Sequence, residues 1–268
     1  MKLSDFFPRH PVFTAKELAG FLKRRGTESR WTRKALVSHH EKQGHILRLQ
    51  RGLYAVVPSG AAPDTCPVDP YLVASKLAQD AVLAYHTALA FHGKAHSVSE
   101  HFQYLTGRQR RPVTFRSYLF KAVLFPKALR RRRKETFGVK VTERAGLDVR
   151  VTSLERTLVD VLDRPALGGG WEEIWRSLEA VEFFDLDQVV RYALALDNAT
   201  TAAKVGFFLE QHREALMVEE AHLRPLRRRR PKQPHYLARG GRASGKLVAD
   251  WNLIVPDEVL QRSWGEPQ

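Results

Sequence analysis

Cysteine is nearly missing. Its single instance in 268 residues, Cys66, excludes an intrachain disulfide framework and any structural zinc site that needs two or more thiolates. A reducing cytoplasm is the compartment that such a chain suits. There is no apolar run of about 18 residues, and the opening stretch MKLSDFFP lacks the roughly 7–15-residue apolar core of a secretory signal. The expectation is a cytoplasmic protein without a membrane segment. Acidic residues are scarce relative to basic ones, 29 Asp and Glu against 44 Lys and Arg, for a net charge of +15. Motifs that would give an enzyme a foothold are missing as well: there is no nucleophile elbow, no HExxH and no paired-carboxylate metal pattern. No catalytic residue, cofactor or metal is expected.

What is present is enough for a substantial core, at 43% hydrophobic and 10% aromatic residues, so disorder is not the default. The excess positive charge points to a polyanionic partner or an anionic membrane surface, without choosing between them. It is concentrated: residues 1–58 carry twelve Lys and Arg against four Asp and Glu. Residues 58–67 hold three prolines and a glycine, the densest turn chemistry in the chain. The reading is therefore a domain over 1–58, a linker over 59–68 and a larger domain over 69–268.

Within the first domain, Thr14 and Glu17 form a capping box that opens a helix with Leu18, Phe21 and Leu22 on one face and Gly26 as its stop. A polar turn at 27–30 follows, and a second helix is predicted over 31–43, capped by Ser29 and ended by Gly44. Trp31, Ala35, Leu36 and His39 are assigned to its inner face. Arg30, Thr32, Arg33 and Lys34 fall on its first turn, where a helix entering a major groove presents side chains to base edges. Residues 46–57 read as a hairpin turning at Arg51 and Gly52, with Arg48 and Gln50 on one face. With a short leading helix over 2–7, the order becomes helix, helix, helix, hairpin: a winged helix-turn-helix that binds double-stranded DNA. Ser29, Arg30, Thr32, Arg33, Lys34, Arg48, Gln50, Arg51, Gly52 and Tyr54 are its candidate DNA-binding residues.

The segments VFTAKELAGFL and HHEKQGHILRLQRGLYAVVP resemble the DNA-binding domain of AbiEi-family antitoxins of bacterial abortive-infection operons. AVLAYHTALAFHG (81–93), FGVKVTERAGLDVRVTSLERTLVDVLDRP (137–165) and LVADWNLIVP (247–256) resemble that family's C-terminal domain. The resemblance implies a transcriptional autorepressor that binds inverted repeats in its own promoter. It also implies an antitoxin that opposes a nucleotidyltransferase-like toxin without a stable complex. The wing departs from the family's doubly basic tip: Gln50 stands before Arg51. Two other readings stay open, a stand-alone regulator with a ligand-sensing C-terminal domain and an enzymatic C-terminal domain that modifies the toxin.

Beyond residue 69 the pattern is mixed α+β. Asp69 and Pro70 open a helix to about Lys76; 81–92 reads as a second helix closed by Gly93. Strands are predicted over 102–106, 113–116, 119–125, 139–144 and 147–151. Ser153 caps a helix with Leu154, Leu158, Val161 and Leu162 inward and with Glu155, Arg156 and Asp160 on other faces, as structural pairing partners. Helices near 171–181, 185–196 and 199–216, a strand over 247–255 and a short helix from Pro256 complete it. Gly168, Gly169 and Gly170 lack the Gly-Lys-Ser/Thr of a phosphate loop and read as a helix entry. His86, His92 and His96 are off one another's faces and read as ordinary histidines. The runs Arg130–Lys134 and Arg227–Arg230 read either as solvated charge or as extra DNA footprint.

Overall fold

In the computed structural model the described residues are 3, 5–26, 29–237, 245–262 and 264. They form a mixed α+β fold that divides into two compact units: Met1–Leu83 with Glu100–Ala122 and Val141–Arg150, and Ala84–Ser99 with Val123–Lys140 and Val151–Gln268.

The first unit begins differently from the leading helix expected over 2–7. Residues 1, 2 and 4 lie outside the described residues, Asp5 and Phe6 form a turn, and a single 3-10 turn, Phe7–Arg9, follows around Pro8. Prolines at 8 and 11 deny the amide donors that a longer helix needs. The chain then enters β1 (Val12–Thr14), α1 (Ala15–Arg24), α2 (Arg30–Lys42), β2 (Ile46–Gln50) and β3 (Leu53–Val56). The three strands pair in the order β1-β3-β2. The capping box opens α1 as expected, Thr14 Oγ1 accepting the Glu17 amide while Glu17 accepts the Thr14 amide at 2.7 Å. Leu3, Phe6, Phe13, Leu18, Leu22, Ile46 and Tyr54 make one buried cluster, joined by Leu36 and Val37 from α2. Aromatic contacts stiffen it: Phe13 meets Phe6 edge-on at 5.2 Å and stacks with Tyr54 at 5.5 Å.

The proline-rich stretch read as a linker is held in place. Cys66 is buried, its amide donates to the Ala62 carbonyl, and the Arg116 guanidinium donates to the carbonyls of Cys66 and Pro63 at 2.6 and 2.9 Å. The first unit continues through α3 (Pro70–Lys76), capped by Asp69, into β4 (Val82–Leu83), β5 (His101–Thr106), β6 (Val113–Phe115) and the greater part of β7 (Tyr118–Leu124), β8 (Val139–Arg144) and β9 (Leu147–Thr152). These six strands order as β6-β7-β5-β4-β9-β8. Ala145 and Gly146 both take positive φ between β8 and β9, the geometry of a two-residue hairpin turn. The helix expected over 81–92 is instead β4 followed by a shorter helix, because Tyr85 takes φ 57° between them and interrupts any helical run.

The second unit is mainly helical: α4 (His86–Phe91), α5 (Lys127–Arg131), α6 (Leu154–Asp163), α7 (Trp171–Glu179), α8 (Leu186–Ala195), α9 (Ala199–Gln211), α10 (Glu220–Arg229) and α11 (Asp257–Gln261). A small sheet orders β10 (His235–Tyr236), β12 (Leu253–Pro256) and β11 (Gly245–Val248) as β10-β12-β11. The single strand expected over 247–255 is split into β11 and β12 by a turn ending at Asn252, φ 49°. Helix α10 escapes sequence patterning because Pro225 lies inside it and half its residues are basic. At α7 the glycines act as a helix entry. Gly169 and Gly170 take φ 94° and 97°, a region that side chains other than glycine rarely adopt.

Arg156 and Asp160, expected as structural pairing partners on α6, do pair and are 1% and 2% exposed. Burial is tolerable because the two charges face each other and most of their polar atoms are hydrogen-bonded, Arg156 Nη2 being the buried exception. Arg156 Nε donates to Asp160 at 3.2 Å and Nη1 donates to the carbonyls of Glu135 and Phe137 at 2.7 and 2.6 Å. The Tyr192 hydroxyl donates to the other Asp160 oxygen at 2.6 Å. Burial still raises the Asp160 carboxyl above its usual range, against the pull of Arg156 and Tyr192.

Candidate nucleic-acid interface

Helix α2 starts as the sequence dictates. Ser29 Oγ accepts the Thr32 amide at 3.3 Å, closing one of the open donors of the first turn. Residues 27 and 28, in the predicted turn before it, lie outside the described residues. The side that faces the core carries Arg33, Leu36, Val37, His40 and Glu41, all partly buried and spaced three and four apart. Leu36 and Val37 pack against the buried cluster, and Phe7 meets His40 edge-on at 5.1 Å. This corrects the face assigned from sequence: Leu36 is inward, but Trp31, Ala35 and His39 are exposed, Trp31 at 79%. A tryptophan is normally the first residue to place in a core, whereas the stripe through Leu36 and Val37 fixes the other rotation.

The outward face of α2 therefore presents Arg30, Trp31, Lys34, Ala35, Ser38, His39 and Lys42, with Thr32 and Ser29 exposed beside them. Arg33 stands half-buried on the core side. The charge order is unusual for a helix. Its first turn contains no acidic residue and holds Arg30 and Arg33, with Lys34 next, although the helix dipole makes that end partly positive. Helix α1 follows the ordinary rule, with Glu17 in its first turn and Lys23 and Arg24 in its last. At the far end of α2, the Nδ1 atoms of His40 and His45 lie 3.1 Å apart. Burial, then His45 and His39, hold the His40 imidazole below its usual range.

In the hairpin, Gly52 takes φ 81° at the turn and its carbonyl accepts the Ala15 amide at 2.8 Å, tying the tip to the start of α1. Arg51 is exposed at that tip. The pairing register shifts at Leu49, so Arg48 faces Tyr54 while Gln50 faces Leu53. Tyr54 and Leu53 are neighbours on opposite faces of β3, so Arg48 and Gln50 do not share a face as expected; an inserted bulge residue reverses the alternation. Arg48 is exposed and Gln50 partly buried. Tyr54, expected as a DNA-binding residue, is a core residue 7% exposed; Phe13 stacks on its ring and it belongs to the buried cluster with Ile46.

Elsewhere the sequence candidates have structural partners. Glu173 accepts the His96 amide at 2.9 Å and the Ser177 hydroxyl at 2.8 Å, with His86 Nε2 at 3.2 Å. Against the cost of burial, bonds from Ser97 and Ser177 and the charge of His86 hold its carboxyl below the usual range. His92 Nε2 lies 2.8 Å from the Thr152 carbonyl. Among the described residues no group of three or more His, Cys, Asp and Glu could hold a metal ion. The arginine runs are partly neutralised: Arg132 and Arg229 both reach Asp197, and Arg227 pairs with Glu210 and Glu220. Arg224, Arg228, Arg230 and Lys232 line an open cleft of about 540 Å³. No helix among the described residues is long and apolar enough to cross a membrane.

No family model matches the chain, and no curated protein matches it. The fold is similar to the crystal structure of the RV2827C protein from Mycobacterium tuberculosis, with a TM-score of 0.64 and 19% sequence identity over 98% of this chain and 92% of that one. At that identity the likeness concerns the fold.

Proposed function

We propose that the first unit opens with a winged helix-turn-helix and that the chain is a DNA-binding transcriptional autorepressor. In this reading α2 enters the major groove and the β2-β3 hairpin is the wing. The observation that carries it is the outward face of α2: the exposed cations Arg30 and Lys34 near its start, with no acid in the first turn, at the positive end of the helix dipole. Such a terminus is electrostatically unfavourable alone and favourable against phosphate. The exposed Arg48 and Arg51 on the hairpin supply further backbone contacts. The resemblance to AbiEi antitoxins extends the proposal: the remaining chain opposes a nucleotidyltransferase-like toxin, the protein works in the cytoplasm, and neither role is enzymatic.

The test is binding of the whole chain to the DNA upstream of its own gene, at several salt concentrations. Preference for that duplex over a shuffled one is expected, with the logarithm of affinity falling linearly in log salt at a slope of roughly −0.9 per phosphate engaged. Equal, weak binding to both duplexes would remove the repressor reading.

A second reading, regulation by a small ligand, has one observation in its favour. A cavity of about 580 Å³ within the first unit is lined by Lys16, Glu17, Arg24, Lys76, Asp148 and Arg150, within the size range of ligand sites.

A further inference from the structure

We infer that Trp31 and Ala35 form an apolar reader of thymine 5-methyl groups at the centre of the cationic face of α2. The inference rests on the DNA-binding reading above and adds what the helix reads. Trp31 is 79% exposed on the second residue of α2, and Ala35, one turn later, shares its face and is also exposed. Flanking them are Arg30 and Lys34, with Ser38 and Lys42 continuing the same stripe.

Exposed indole is a poor choice for a solvated helix. It leaves a large apolar surface in water, and apart from Ala35 the rest of this face is polar or charged. The neighbouring charges commit the partner to a polyanion, since any apolar protein surface docking here would have to desolvate Arg30 and Lys34, which have no acid within one turn of them along the helix. Within a duplex, the cations engage phosphates, and what remains between them is an aromatic ring and a methyl. In the major groove the apolar feature that distinguishes one base from the others is the 5-methyl of thymine. Arginine and lysine at a groove select guanine; this centre selects thymine.

The experiment compares the upstream duplex with the same duplex carrying uracil for thymine, which deletes methyls and nothing else. The full-length wild type is expected to lose about fourfold in affinity for each methyl engaged, the worth of one buried methylene-sized group. Trp31→Ala should bind the thymine duplex more weakly and no longer distinguish it from the uracil duplex. Trp31→Phe, which keeps an apolar ring, should keep part of the discrimination. Because Trp31 lies outside the core, the melting temperature of Trp31→Ala should match the wild type, which separates lost contact from lost fold. Wild-type binding that is indifferent to uracil, or a Trp31→Ala chain that still discriminates, overturns the inference while leaving the DNA reading intact. Absence of any preference for the upstream duplex in the wild type overturns both.

Discussion

Helices α2 and α6 begin alike and treat arginine in opposite ways. Each is capped by a serine, Ser29 and Ser153, whose hydroxyl accepts an amide three residues on. Each then carries arginine within its first turn or just past it. In α6 the guanidinium of Arg156 is driven inside and met by Asp160 one turn later and by two carbonyls from residues 135 and 137. In α2 there is no aspartate or glutamate one turn after Arg30 or Lys34, and both side chains stay in solvent. The presence of an acid at i+4 decides whether the charge serves the fold or remains available to a partner. Net charge alone does not distinguish the two cases.

The comparison breaks most visibly at α6. Arg156→Ala leaves the buried Asp160 with the Tyr192 hydroxyl and no cation, and should cost roughly 3–5 kcal/mol of stability. Chemical denaturation would measure it. Because an unpaired buried carboxyl escapes the cost by taking up a proton, the loss should shrink as the pH falls. A loss under 1 kcal/mol at neutral pH would mean that the network does not organise the second unit.

At α2 the opposite trade is expected. Arg30→Glu places an acid at the positive end of the helix and should stabilise the chain by about 0.3–1 kcal/mol, while reducing affinity for the upstream duplex by at least tenfold, since a phosphate contact is replaced by repulsion. Calorimetry and a binding titration on one preparation read both. A variant that is both more stable and equally tight on DNA would show that the first turn of α2 does not meet phosphate. Arg51→Ala, at the hairpin tip, should have a smaller effect: weaker binding to all duplexes alike and a salt slope shallower by about 1. A change confined to the upstream sequence would contradict a backbone role.

The local chemistry of the caps was legible in advance: the Thr14 and Glu17 box, Ser29, Asp69, Ser153 and Asp185 open helices where their spacing says they should. Strands β5 to β9 also lie where alternation puts them. What alternation and composition missed depends on tertiary context. The rotation of α2 is set by Leu36 and Val37 meeting a core built partly from Phe6 and Phe13, residues of another element. Tyr54 looks like a wing residue until Phe13 stacks on it. The pairing of Arg156 was legible but its other acceptors were not, because they are carbonyls about twenty positions earlier, and a backbone carbonyl leaves no trace in the side-chain pattern.

Glu17 gives the smallest effect and tests whether α1 is the ordinary helix that sets off α2. Its carboxylate accepts from Thr14 and pairs with Lys76. Burial would raise its pKa, but the hydrogen bonds from Lys76 and Thr14 outweigh that and hold it below the usual range. A depressed carboxyl contributes stability that is present above its unfolded value, about 4.3, and is lost as the pH falls through the folded one. Glu17→Gln should therefore be less stable than the wild type at pH 7, and the gap should close on acidification towards pH 3, as urea midpoints would show. A gap that stays constant with pH would mean that the capping box contributes through its shape alone; the electrostatic contrast between α1 and α2 would then rest on α2 by itself.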